Sequence, residues 1–134
     1  QDMTKLYLKV GSILLCFMCI SLSGYAHEMT PAYFKLKPSY IEDVSVTSMK
    51  LFNRRDDVKY YDIEVFTFDW KPIPFASEYK TINIGYNKSK LFDVYIRNND
   101  IDKVVYICTQ SKLFKRTNQI TLITSRICSK IKDR

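Results

Sequence analysis

Apolar and polar positions alternate along most of the chain beyond residue 27. In Lys59–Phe68 the alternation is clean: Tyr61, Ile63 and Val65 share one face, and Tyr60, Asp62 and Glu64 the other. In Val44–Phe52 it is imperfect, with Ser45, Thr47, Met49 and Leu51 opposed to Val44, Val46, Ser48, Lys50 and Phe52. A period of two marks a strand with unlike faces. Further β-prone runs occupy Met29–Leu36, Lys80–Ile84, Lys90–Ile96, Val104–Leu113 and Ile120–Ile131. Between them lie turn signals: Lys37-Pro38-Ser39, Asn53 to Asp57, the proline-broken Asp69–Phe75, Asn98-Asn99-Asp100, and Lys115 to Gln119. Seven or eight short strands at intervals of about ten residues predict an antiparallel sandwich or barrel. No segment carries the pattern of a three-turn amphipathic helix. Gly85 is the only glycine after residue 26, so the turns fall to Asn, Asp and Pro.

The first residues have a different pattern. Lys5 and Lys9 precede an uncharged, mostly apolar run, Val10–Leu22, and Gly24 and Ala26 place small residues ahead of a cleavage point. This is the three-part design of a secretory signal peptide, with an apolar run too short for a comfortable membrane span. The expected organisation is a signal peptide over 1–26 and one all-β domain over 27–134. An uncleaved anchor is the alternative. After cleavage no stable membrane span is expected, and the protein is expected to be periplasmic or secreted.

Export changes the meaning of the cysteines. Cys16 and Cys19 belong to the signal, leaving Cys108 and Cys128. Two cysteines in an exported domain are most simply one disulfide. A hairpin centred on Asn118 sets residue 108 opposite residue 128, within reach of a cross-strand bridge. Two buried free thiols are the alternative.

Candidate chemistry is sparse. His27 is the only histidine, and it would begin the mature chain. A frayed terminal residue is the expectation for it. With two cysteines and one histidine, no four-ligand metal site is expected. No cofactor and no catalytic residue are expected, and the chain is read as a non-enzyme. The net charge of +7 is concentrated late, in Lys112, Lys115, Arg116, Arg126, Lys130, Lys132 and Arg134. Such a cluster either protects a strand edge from unwanted pairing or forms an anion-binding or partner-binding edge. Nucleic acid fits the charge and the ten tyrosines, but export argues against it, and it is not an expected partner.

The order of these runs resembles a known family. Leu36-Lys37-Pro38-Ser39-Tyr40-Ile41, Val44–Phe52 ending at Asn53, and Tyr60–Phe66 are similar to the start of the immunoglobulin-like N-terminal domain of periplasmic pilus (fimbrial) chaperones. Val104 to Ile107 and Ile120–Lys132 resemble its last two strands. The resemblance implies an immunoglobulin-like antiparallel β-sandwich of about seven strands. It implies a chaperone role in pilus assembly, with a protein subunit bound by strand addition along the last strand. Ile123, Ile127 and Ile131 share the parity that would face the subunit, or else the domain's own core. Lys130 falls where the family's last-strand lysine holds a partner's carboxylate. Lys37 is the nearest candidate for the first-strand arginine, whose place Tyr40 takes. A subgroup of the family also bridges its last two strands, as Cys108 and Cys128 would. The family has a second domain, whereas only Asp133 and Arg134 follow the last strand here, so the chain is expected to be either a fragment or a single-domain relative. The other reading is an exported or virus-encoded structural or adhesive domain without chaperone activity.

Overall fold

The computed structural model describes residues 26–112 and 124–133. The segment 1–25, including most of the expected signal peptide, lies outside the described residues, as do Ile123 and the hairpin centre at Asn118. The described residues hold nine strands and no helix: β1 (Glu28–Thr30), β2 (Tyr33–Phe34), β3 (Lys37–Pro38), β4 (Val44–Phe52), β5 (Tyr60–Phe66), β6 (Thr81–Asn83), β7 (Ser89–Arg97), β8 (Tyr106–Ser111) and β9 (Arg126–Ile131). They form two sheets. In the first, β4 is flanked by β7 on one side and by β1 and β3 on the other. The second runs β2-β9-β8-β5-β6. Apart from the parallel pair β2–β9, every pairing is antiparallel. Two facing, mostly antiparallel sheets with this strand order make an immunoglobulin-like sandwich.

The three short N-terminal strands are one strand broken by a change of sheet. β1 pairs with Lys50–Phe52, β2 crosses to pair with Lys130 and Ile131, and β3 returns to pair with Ser45 and Val46. Counted this way, the sandwich has the seven strands expected. The crossing is anchored by side chains: Met29 and Phe34 enter the core, and Pro31 presents its carbonyl to the Ser129 hydroxyl at 2.6 Å. Proline has no N–H to leave unpaired where the ladder breaks.

Period two decides the core. Met49 and Leu51 of β4, Tyr61, Ile63 and Val65 of β5, Phe92, Val94 and Ile96 of β7, and Ile107 of β8 all point inward. Ser45 and Thr47 are buried at the same end of β4. Ser45 meets its hydrogen-bonding need by donating to the Asn98 side chain at 2.7 Å. Turns use the chemistry the scarcity of glycine required. Asp43, Asn87, Asp133 and also Trp70 take left-handed backbone conformations, whereas Gly85, the one glycine among the described residues, does not. Asp and Asn tolerate that region better than most residues.

Candidate binding edge on the last strand

β8 and β9 pair in the register that a centre at Asn118 predicts: Tyr106 faces Lys130, Cys108 faces Cys128, and Gln110 faces Arg126. The backbone bonds Ser111 N to Ser125 O and Ile131 N to Val105 O fall on the odd-numbered positions. Cys108 and Cys128 therefore form a pair without backbone hydrogen bonds, the kind in which opposed Cα atoms come closest. Their Cα atoms are 4.0 Å apart and the thiols are joined in a disulfide. Both sulfurs lie on the outward face of the second sheet, because Ile107, Thr109 and Ser129 occupy the inward positions.

The same parity places the other candidate residues. Ile131 is buried in the core and Ile127 packs against it. Lys130 points outward, opposite Tyr106. Lys37 stands on β3, in the first sheet, beside Lys35 and Lys132 at the margin of the sandwich. Lys37 and Lys130 thus belong to different sheets, and Lys132 is the last-strand lysine that shares a groove with Lys37. Of the late basic cluster, Lys112 pairs with Asp62 at 3.5 Å and Arg126 with Glu64 at 3.3 Å. Among the described residues no carboxylate pairs with Lys130 or Lys132. Lys115, Arg116 and Arg134 lie outside the described residues.

The far side of β9 is only partly paired, although β1 also lies close to it. Lys130 N donates to Ala32 O at 3.0 Å and Lys132 N to Phe34 O at 2.9 Å, so the even-numbered backbone groups face away from β8. β2 stops at this point, and among the described residues no strand pairs with Arg126 to Ser129 on that side.

His27 departs from the sequence expectation. It is 1% exposed, not a frayed terminus. Its Nε2 lies 3.1 Å from Thr109 O and 2.9 Å from Thr109 Oγ1, and its Nδ1 3.1 Å from Ser125 Oγ. These partners assign Nε2 as the protonated nitrogen, donating to Thr109, with Nδ1 accepting from the Ser125 hydroxyl. The ring also packs on Tyr61 at a centroid distance of 4.5 Å. Burial lowers its pKa to about 4, against the raising effect of the Thr109 carbonyl; the Arg55 charge lowers it further. The sequence held no signal for this, since Thr109 and Ser125 are far away along the chain.

Tyr61 leads from His27 into a second polar cluster. Its hydroxyl donates to Asn53 Oδ1, which also accepts Arg55 N–H at 3.0 Å. Asn53 Nδ2 donates to the carbonyls of Val58 and Ile84. Arg55 is clamped to Asp57 by two bonds, at 2.9 and 2.6 Å. Burial pushes the Tyr61 hydroxyl up to about 12. The cluster ties the loop after β4 to the end of β6 and is a structural lock. Among the described residues no group of three or more His, Cys, Asp or Glu side chains is placed to hold a metal ion.

No protein-family model and no curated protein matches the chain. Among solved structures, it is similar to a FixG-related protein from Vibrio parahaemolyticus. The two share 14% identity with a TM-score of 0.45 over 81% of this chain and 96% of that one.

Proposed function

We propose that this domain is an exported, non-enzymatic binding module that pairs an extended segment of a partner protein with the far side of β9, as a pilus-assembly chaperone does. The observation that carries this reading is the half-covered edge. β2 occupies only Lys130 and Ile131, while the even-numbered backbone groups at Arg126 and Cys128 face a side with no strand partner among the described residues. An unpaired edge is a template for another chain. The disulfide, and the lack of any described helix long and apolar enough to cross a membrane, are compatible with export.

One observation favours the second reading, a structural or adhesive domain. Ile127 and Ile131 face the domain's own core, so they are not available as side chains to lend to a subunit. Strand addition here would rest on backbone bonds and on the outward residues Arg126 and Lys130.

A test follows from the geometry. Arg126→Pro deletes an outward N–H without removing a β8 ladder bond. Extended peptides selected by display on the oxidised domain should slow amide exchange at Arg126 and Cys128 and lose their affinity for Arg126→Pro. Selected peptides that bind this variant as well as the parent would refute pairing along β9.

A further inference from the structure

The change of sheet by the N-terminal strand leaves a gap. β4 has partners on its β1/β3 side at Ser45 and Val46 and again at Lys50 to Phe52, but among the described residues none from Thr47 to Met49. The direction of its backbone groups follows from its neighbours. Asp43 O accepts from Asn98 N on the β7 side, and Val44 O accepts from Ser39 N on the β3 side. Even-numbered residues of β4 therefore face β1 and β3. Ser48 stands in the gap with its N–H and C=O turned toward it.

This gap opens into a groove of about 430 Å³. Three lysines line it, Lys35 and Lys37 from the N-terminal strand and Lys132 just after β9, together with Tyr33 and Ser48. No carboxylate is among its lining residues. Among the described residues, none of the three lysines pairs with an acid. On β4's other side the Ser48 hydroxyl donates to Asp93 of β7. Three like charges brought to one groove repel each other and attract anions.

We propose that this groove binds the oxyanion of a phosphate or sulfate ester. Lysine acts as a point charge toward such groups, whereas planar carboxylates are matched best by the arginine fork, and no arginine lines the groove. The unpaired Ser48 N–H supplies a directed donor, and Tyr33 supplies an apolar wall for the organic part of the ester. The site is separate from the strand-pairing edge. It uses the gap in β4, and of the residues named as partner-binding candidates it shares Lys37 and Lys132.

The experiment is titration of the oxidised domain at neutral pH and low ionic strength with phenyl phosphate, a disulfated disaccharide and, as a carboxylate of equal charge, succinate. Amide spectra are recorded in parallel. Phenyl phosphate or the sulfated sugar should bind, shifting Ser48 and its neighbours, and binding of one alone identifies the ester. The triple variant Lys35→Ala/Lys37→Ala/Lys132→Ala should weaken it at least tenfold. The charge-matched Lys59→Ala/Lys88→Ala/Lys103→Ala, all exposed positions, should weaken it less than twofold. Equal losses in the two triples, equal affinity for succinate, or binding of neither ester would overturn the proposal. Arg126→Pro should leave ester binding unchanged, so failure of strand pairing and failure of this site are read separately.

Discussion

Acidification acts on the buried His27. The ring is held neutral between Thr109, Ser125 and Tyr61, with the Arg55 charge nearby and, among the described residues, no carboxylate bonded to it. Its folded pKa of about 4 lies below the unfolded value of 6.5, so the unfolded chain binds this proton more tightly. The sign is then fixed. The contribution to stability is complete above pH 6.5, falls as the pH drops toward 4, and levels off below that. A tenfold change in proton affinity is worth about 1.4 kcal/mol, so the full contribution is about 3 kcal/mol, of which about 2.5 kcal/mol is gone by pH 4.5. Asp57, held low chiefly by its hydrogen bond to Arg55, loses its own contribution only further into acid. Urea unfolding at several pH values between 7 and 4.5 measures the effect. The same series on His27→Gln, which keeps hydrogen-bonding capacity but cannot titrate, should be nearly flat over this range. Parallel losses in parent and variant would refute the reasoning, as would an imidazole signal titrating near 6.5 in the folded protein.

Two other changes should move stability in opposite directions. Replacing both Cys108 and Cys128 by serine opens a cross-link spanning 20 positions and should cost about 3 kcal/mol by chain entropy, read as a lower urea midpoint than that of the oxidised parent. Gly85→Ala should be neutral or stabilise by up to about 1 kcal/mol, because Gly85 does not have a positive φ and the added Cβ meets only Lys88 Cγ, at 3.6 Å; a fall in thermal midpoint would contradict this.

The period-two segments were legible because alternation is a local property. β4 has the bounds of the run Val44–Phe52, and the register Cys108–Cys128 followed from two arms of equal length about Asn118. The N-terminal switch was not legible, since Met29–Leu36 reads as one β-prone run and nothing local says which sheet each part joins. The shared parity of Ile127 and Ile131 was visible in the sequence. That it faces the core depends on the opposite sheet. Asn53 stood out as the end of a strand, but its partners come from the start of β5 and the end of β6. The three-lysine groove was hidden for the same reason: Lys35 and Lys37 lie nearly a hundred residues from Lys132 and meet it only because β2 runs beside β9.

A β-hairpin ordinarily owes its register to its turn, and a slip of one residue turns every side chain to the opposite face. In the last hairpin, the bond between Cys108 and Cys128 fixes which residues face each other. The sequence connecting the two arms is thereby relieved of that duty. It can change in length or composition over evolutionary time, or accept an inserted epitope, while Ile127 and Ile131 keep their places under the sheet. The staple makes the stem of the hairpin conservative and its connecting segment evolvable.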